Sequence, residues 1–168
     1  MIRTRLETER LQLRHFNHDD LPVMHILNTD PDVVRYADAP SKDIEESRSR
    51  LVNGPLADYQ KYGYGRFAVD FKPSEELIGF CGIKYLPEIE LPELGYRFLT
   101  QFWGMGIATE AARACVSFAR EDLKLTKLIA LIIPENTGSI RVAEKVGMNE
   151  GPLIEIYGER ALRYAMTL

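Results

Sequence analysis

The stretch FLTQFWGMGIATEAARACVSFA, residues 98–119, decides how the rest of the chain is interpreted. Two glycines, Gly104 and Gly106, stand between an apolar run and a segment with helical spacing of apolar residues. Glycine removes side-chain bulk and permits backbone conformations that other residues avoid. The pattern therefore predicts either a tight turn from a strand into a helix or a backbone that a ligand approaches closely.

The helix after this turn has an apolar face built mostly from small residues, which predicts close packing against a sheet: Ala108, Ala111, Ala112, Cys115, Ala119 and Leu123. A helix N-terminus carries unpaired N–H groups and a partial positive charge, so it suits phosphate. A P-loop needs a lysine after its last glycine, and a dinucleotide fingerprint needs a third glycine where Thr109 stands. The turn therefore suits a phosphate ligand but matches neither of these two ligand classes.

Length and composition predict one ordinary globular domain. The chain has 168 residues, 45% of them hydrophobic and 27% charged, and its net charge is −4. No global basic field is present to attract nucleic acid or an anionic membrane. The sequence also lacks an apolar run of about 18 residues, and its charged start, residues 1–14, is unlike a signal peptide. We expect a cytoplasmic enzyme or binding protein that uses neither nucleic acid nor a membrane.

Two residue types raise the question of a metal or a disulfide. Cys81 and Cys115 both lie in apolar contexts, so we expect buried free thiols. His15, His18 and His25 cluster early in the chain, but no cysteine or acidic spacing completes a ligand set. We expect these histidines at a strand end and on a helix surface, and we expect no metal.

The elements on either side of the glycine turn are predicted from periodicity and breakers. Strands are predicted at 9–16, 66–71, 77–86, 93–99 and 127–133, and a hairpin at 152–168. Helices are predicted after the caps at 17–20, at 42–61 with a kink at Pro55, after Gly106, and at 139–146, with a short turn from Pro31. Residues 87–92 read as a proline-bounded acidic connection. This order predicts a mixed sheet with helices on its faces.

The segment QFWGMGIATEAA, residues 101–112, resembles the acyl-CoA-binding signature of the GCN5-related N-acetyltransferases, the GNAT superfamily. Gln101, Gly104 and Gly106 match the pattern Q/R-x-x-G-x-G/A. The run WGMGIATEA resembles more specifically the branch of the RimJ/RimL-type ribosomal-protein acetyltransferases. Two further blocks resemble the same branch: residues 6–36 and PENTGSIRVAEKVGMNEG, residues 134–151, with Met148 where phenylalanine is commoner. Together the three blocks cover nearly the whole chain in the expected order.

The resemblance implies the GNAT fold over residues 1–168 as a single acetyltransferase domain. This fold is α+β, a mixed α/β arrangement whose central, mixed and mostly antiparallel sheet is flanked by helices. The fourth and fifth strands of the family, here 93–99 and 127–133, are splayed apart, and the thioester lies in the gap between them.

The resemblance also implies an acetyl-CoA site formed largely by main chain. Backbone N–H groups of the glycine turn would hold the pyrophosphate: Gly104, Met105, Gly106, Ile107, Ala108 and Thr109. Main-chain groups of Phe98, Leu99 and Thr100 would bond the pantetheine arm. An N–H on the same strand would polarise the thioester carbonyl. Lys145 would either reach the adenosine phosphates or be a solvated helix lysine.

Three side chains are implied for the chemistry, each with an ordinary structural alternative. Glu93 would be the base, directly or through a water, or else the end of an acidic loop. Asn136 would contact pantetheine and Ser139 would be the acid that protonates sulfur, or else both are helix caps. The family needs no metal.

The acceptor amine is the least determined part of the sequence. The resemblance implies an acceptor side formed by 34–39, 59–64, 88–93 and the final hairpin, with Tyr36, Tyr62 and Tyr64 as lining candidates. Glu88, Glu90 and Glu93 would favour a cationic acceptor. The branch acetylates protein N-termini, polyamines, antibiotics and other small amines. An N-acetyltransferase, acting by direct attack in a ternary complex as monomer or homodimer, competes with a non-catalytic acyl-CoA-binding or sensing module.

Overall fold

The computed structural model describes all residues, 1–168. Eight strands form one sheet: β1 Arg5–Glu7, β2 Leu11–Arg14, β3 Arg66–Phe71, β4 Glu76–Leu86, β5 Leu91–Phe98, β6 Lys127–Ile132, β7 Leu153–Ile156 and β8 Glu159–Thr167. Their order across the sheet is β1-β2-β3-β4-β5-β6-β8-β7. Every neighbouring pair is antiparallel except β5 and β6. The predicted mixed, mostly antiparallel α+β fold is therefore confirmed.

Six α-helices connect or cover these strands: α1 Leu21–Leu27, α2 Pro31–Val34, α3 Ile44–Leu51, α4 Ala57–Tyr62, α5 Ile107–Glu121 and α6 Thr137–Lys145. The kink predicted at Pro55 is present, because α3 and α4 are separated by Val52–Leu56, where Gly54 has non-helical φ and ψ of −97° and −110°. None of the helices is both long enough and apolar enough to cross a membrane.

The sheet separates two hydrophobic clusters. One contains the apolar face of α5, including Ala111, Ala112 and Cys115, against the sheet. The other contains residues of α1 and α3 against Ala68 and Phe80. Successive side chains of a strand point to opposite faces, so Phe80 joins the second cluster whereas Cys81 joins the first. Helices thus cover both faces, and Cys81 and Cys115 are buried free thiols as predicted.

The ends of several elements differ from the sequence prediction. The strand predicted at 9–16 is shorter, and a further strand, β1, precedes it and pairs with it as a hairpin. The proline-bounded connection at 87–92 is partly strand, because β5 already begins at Leu91. Helix α6 begins at Thr137, two residues before the predicted start, because Asn136 caps it. These are differences of extent and leave the order of the main elements unchanged.

Candidate active site

Strands β5 and β6 pair at one point only and then separate. Their ladder consists of the single parallel pair Glu93 and Ile129, although β5 continues to Phe98 and β6 to Ile132. The predicted splay is therefore present, and it begins at Glu93. On the β6 side the chain then turns through residues 133–136 into α6. A gap bordered by main chain thus lies between the second half of β5 and the start of α6.

The glycine turn is a tight left-handed turn whose backbone is open at Gly104. Gly104 and Gly106 have φ of +74° and +76°. This left-handed backbone conformation is unfavourable for residues other than glycine. A Cβ placed on Gly104 would meet no other atom within 4 Å, so protein packing does not explain the lack of a side chain there. The predicted tight turn is therefore present, and the space beside Gly104 is open, as close approach of a ligand would require.

Residues 104–109 leave their main-chain N–H groups unpaired. The first hydrogen bond into α5 is from Glu110 N–H to the Gly106 carbonyl, and no side chain caps this helix. The N–H groups of all six residues named for pyrophosphate therefore have no acceptor in the protein. A row of unpaired donors at a helix N-terminus is chemically suited to a diphosphate, so these residues fit the group that the sequence assigned to them.

Cationic side chains lie beside this turn. A cavity of about 720 Å³ is lined by Gly106 and Thr109 together with Arg10, Arg113 and Lys145. Arg10 bonds Glu110 at 2.7 Å, whereas Arg113 and Lys145 are in no ion pair. Lys145 thus stands next to the turn, as one of its two predicted alternatives requires. Arg10 and Arg113 were missed, because only the fold brings the β1–β2 turn and the polar side of α5 together.

The main chain of β5 offers fewer free groups at its end than predicted. The Leu99 N–H donates to the Ile78 carbonyl at 2.9 Å, and the Leu99 carbonyl accepts from Phe102. The Phe98 carbonyl accepts from the indole Nε1 of Trp103 at 2.8 Å, and the Thr100 carbonyl accepts from the Trp103 N–H. The main-chain donor of Leu99 is thus not free for a ligand, which corrects that part of the prediction.

The pairing of β4 and β5 shows which main-chain N–H groups of β5 remain free. In an antiparallel pair, residues that exchange hydrogen bonds alternate with residues whose N–H and C=O face outward. Because Leu99 bonds the opposite residue Ile78, the N–H groups of Phe98 and Tyr96 face away from β4, toward the gap. Phe98 therefore has a free N–H, as its predicted role requires, and Tyr96 is a further candidate that strand alternation would have indicated.

Asn136 and Ser139 lie together at the start of α6. The Asn136 Oδ1 accepts from the Ser139 N–H at 3.2 Å, which is the N-cap alternative for Asn136. The Ser139 Oγ has no hydrogen-bond partner in the protein, so Ser139 does not cap the helix with its hydroxyl. Across the gap, the Tyr96 hydroxyl donates to the Ser139 carbonyl at 2.8 Å. Burial raises the pKa of Tyr96, so this hydroxyl stays protonated.

The Tyr96 contact ties β5 to α6, and its removal should be measurable. We expect Tyr96→Phe to lower the free energy of unfolding by about 1 kcal/mol, because a half-buried hydrogen bond is lost while the ring remains. Chemical denaturation measures this change. Tyr164→Phe is the matched control, since its hydroxyl lies 3.5 Å from Glu150, at the limit of a hydrogen bond. Equal destabilisation by the two variants would contradict the role given to Tyr96.

Glu93 projects from the face of β5 opposite to that of Tyr96. Its carboxylate accepts from Arg66 Nη2 at 3.1 Å, and its side chain is 13% exposed. Burial raises the pKa of Glu93, while Arg66 and Lys84 act in the opposite direction. It is therefore not the solvated end of an acidic loop, and its pKa has moved toward the range useful for a base. Glu88 and Glu90, by contrast, are exposed.

Two glycines make room for the arginine that holds Glu93. Arg66, Gly82 and Gly95 lie opposite one another on β3, β4 and β5. A Cβ on Gly95 would stand 2.6 Å from Arg66 Nη2, and a Cβ on Gly82 would stand 2.6 Å from the Arg66 Cα. The guanidinium of Arg66 therefore lies flat across β4 and β5 to reach Glu93. Arg66 was missed by sequence analysis, because its position depends on the register of three strands.

The three histidines do not assemble into a site. His15 stacks on Tyr59 with ring centroids 3.8 Å apart, and His25 Nδ1 lies 2.9 Å from Ser47 Oγ. No group of three His, Cys, Asp or Glu side chains in the structure is arranged to hold a metal ion.

With this geometry, the comparison with known proteins identifies the class. The Acetyltransferase (GNAT) domain family matches residues 10–149, and the chain belongs to this family of N-acetyltransferases. GNAT enzymes use acetyl-CoA and an amine acceptor, and the chain is an enzyme of this type.

Individual relatives agree with this assignment. The uncharacterized protein YkkB of Bacillus subtilis is 37% identical over 150 residues, which are 88% of this chain and 86% of YkkB. The uncharacterized N-acetyltransferase p20 of Bacillus licheniformis is 30% identical over 90% of this chain and 86% of its own length. An acetyltransferase structure from Agrobacterium tumefaciens has a TM-score of 0.85 at 30% identity, covering 96% of this chain and 93% of that one.

The RimJ/RimL-type enzymes share the fold at greater distance. RimJ of Mycobacterium smegmatis, in complex with a coenzyme A disulfide, has a TM-score of 0.77 at 21% identity, covering 94% of this chain and 81% of RimJ. The predicted relationship is thus present as similarity of fold.

Proposed function

We propose that this enzyme transfers the acetyl group of acetyl-CoA to a primary amine, either a protein N-terminus or a small molecule, by direct attack in a ternary complex. The observation that carries the proposal is the row of six unpaired N–H groups at 104–109 beside a gap that opens at a buried glutamate. The unpaired N–H groups suit the diphosphate of coenzyme A. The buried glutamate suits removal of a proton from an amine.

The residues of this chain would divide the reaction as follows. Residues 104–109 bind the pyrophosphate, and the outward N–H groups of Tyr96 and Phe98 bond the pantetheine arm or the thioester oxygen. Asn136 and Ser139 border the gap from α6. Glu93 approaches from the other face of β5, so the base and the acid act from opposite sides of the strand.

The proton balance assigns one role to each side chain. The amine must be neutral to attack, and a new C–N bond forms as the C–S bond of the thioester breaks. Glu93 accepts the proton that the amine nitrogen loses, directly or through one water. The Ser139 hydroxyl, which has no partner in the protein, donates a proton to the departing sulfur and is restored from solvent. The products are an N-acetyl amide and the free thiol of coenzyme A.

Substitution of the proposed acid gives a specific expectation. We expect Ser139→Ala to lower kcat about tenfold or more without changing acetyl-CoA affinity, because the departing thiolate loses its proton donor but no cap is lost. Steady-state coenzyme A release measures kcat, and calorimetry measures affinity. Thr137→Ala is the control, since Thr137 is exposed in the same first turn of α6. Full turnover by Ser139→Ala would remove Ser139 from this role.

The proposal is tested by coenzyme A release from acetyl-CoA over an acceptor panel. Short peptides with Ser or Ala N-termini form one half, and polyamines, aminoglycosides and amino-acid-like amines form the other. Release that depends on one kind of amine supports the proposal and identifies the acceptor class. Tight acetyl-CoA binding with no release for any amine would support the alternative, a binding or sensing module.

A further inference from the structure

A second cavity lies on the Glu93 face of the sheet, away from the glycine turn. It has a volume of about 330 Å³ and is bordered by α1, the α3–α4 kink and strands β3, β4 and β5. This is within the range of small-molecule sites. Arg66 lines the cavity, and its Nη2 bonds Glu93. The cavity therefore adjoins the proposed base and is the natural place for the rest of the acceptor.

The floor of this cavity presents two guanidinium groups. Arg66 and Arg97 lie 5.3 and 5.4 Å from the ring centroid of Phe80, so both stand over the same ring. Arg97 donates to Asn28 Oδ1 at 3.0 Å, and its one acidic partner is Asp38 at 3.6 Å. Asp38 is 83% exposed and neutralises little of this buried charge. Burial, and then Arg66, lower the pKa of Arg97 to about 10.

Unpaired buried donors concentrate in the same place. In the whole chain only four buried side-chain N or O atoms lack a partner, and two of them, Asn28 Nδ2 and Arg66 Nε, belong to residues that line this cavity. Asn28 is 4% exposed, so its amide cannot turn to bulk solvent. Both atoms are donors, and a buried donor without an acceptor is costly. A ligand with acceptor oxygens would satisfy them.

The other charged groups around the cavity restrict where an anion fits. Arg50 is paired with Glu46 at 2.7 Å, and Lys84 is in no ion pair. Asp58 also borders the cavity, and burial raises its pKa. Cations and acids are therefore mixed around the rim, and the place that lacks an acceptor is the floor between Arg66, Arg97 and Asn28. Exposed Glu88 and Glu90, which suggested a cationic acceptor, do not line this space.

We propose that the acceptor is a small primary amine that carries a carboxylate, as amino acids do, with the carboxylate held by Arg66, Arg97 and Asn28 Nδ2 and the amine directed toward Glu93. The inference rests on the proposed acetyl transfer and narrows its acceptor. A guanidinium binds a carboxylate through parallel hydrogen bonds, so the two arginines give both charge and direction.

The test compares acceptors that differ only in this group. Phenylalanine, phenylalaninamide and phenethylamine share a side chain, and methionine with methioninamide forms a second set. We expect kcat/KM for the carboxylates to exceed that for the amides and the decarboxylated amine about ten- to a hundredfold. Arg97→Gln should remove this preference without changing the KM for acetyl-CoA. Arg48→Gln, an exposed arginine outside the cavity, is the matched control.

A second cavity variant and a binding measurement extend this test. Lys84→Gln provides a second cavity variant that removes a cation without an ion pair, and it should reduce the carboxylate preference to a smaller extent. Calorimetry with coenzyme A and each amino acid measures binding without turnover. Binding that needs the carboxylate and Arg97, but no transfer, would uphold this site and contradict the proposed function. Equal or better use of amides or polyamines, or absence of carboxylate binding, would overturn the carboxylate proposal.

Discussion

Gly104→Val is expected to weaken acetyl-CoA binding about a hundredfold while the protein still folds. Gly104 has φ of +74°, which a β-branched residue cannot hold without strain, so the backbone around it must shift. A shift would misalign the unpaired N–H groups of 104–109, and each bond from such a donor to a charged phosphate contributes about 1.5–3 kcal/mol. Isothermal calorimetry with acetyl-CoA measures the loss directly.

Gly158→Val is the matched control for this variant. Gly158 has φ of +77° in the β7–β8 hairpin and, like Gly104, has no atom within 4 Å of a Cβ placed on it. The two variants should therefore lose about 1–2 kcal/mol of folding stability each, whereas only Gly104→Val should lose acetyl-CoA affinity. Unchanged affinity in a folded Gly104→Val protein would contradict the assignment of the turn to pyrophosphate.

Glu93→Gln is expected to lower kcat about a hundredfold with little change in acetyl-CoA affinity. The amide keeps the size of the side chain and a hydrogen bond to Arg66 but cannot accept the proton of the amine. Glu93 is not part of the glycine turn and lies on the face of β5 opposite to Tyr96, so coenzyme A binding should be retained. Glu90 is an exposed neighbour without hydrogen-bond partners, so Glu90→Gln should leave kcat unchanged.

The pH dependence follows from the same side chain. Burial raises the pKa of Glu93, and only the deprotonated carboxylate acts as a base. The rate of the native enzyme should therefore fall as the pH drops through this raised pKa, and the acidic limb should disappear in Glu93→Gln. A pH–rate profile of kcat for both proteins tests this sign. An identical acidic limb in the variant would assign the titration to another group.

The features that the sequence predicted well are those with local causes. The glycine turn could be predicted because left-handed backbone favours glycine, and the kink could be predicted because Pro55 disrupts the hydrogen bonds of a continuous helix. The splay was predicted only through resemblance to a family, since nothing local in residues 93–99 shows that β6 pairs with β5 at one residue. Short strands such as β1 were missed because three residues give little periodicity.

The features that the sequence could not predict depend on register. Arg66, Lys84 and Arg97 come from three different strands, and only the pairing of β3, β4 and β5 places them around one cavity. In the sequence, Gly82 and Gly95 are ordinary strand glycines. Only the strand register shows that they leave room for Arg66. The hydrogen bond of Leu99 also depends on register, because β4 places the Ile78 carbonyl opposite the Leu99 N–H. Charge counted along the chain suggested a cationic acceptor, whereas the arginines of the folded cavity lead us to propose an acceptor that carries a carboxylate.

The most direct test of acetyl transfer is to follow the acetyl group itself. Acetyl-CoA labelled in its acetyl group is incubated with an amine acceptor and the native enzyme, and mass spectrometry quantifies both products. Our account predicts that label appears on the amine in an amount equal to the coenzyme A released, and that Glu93→Gln slows both equally. Label that remains on coenzyme A while the protein binds it tightly, for every amine tested, would contradict the account.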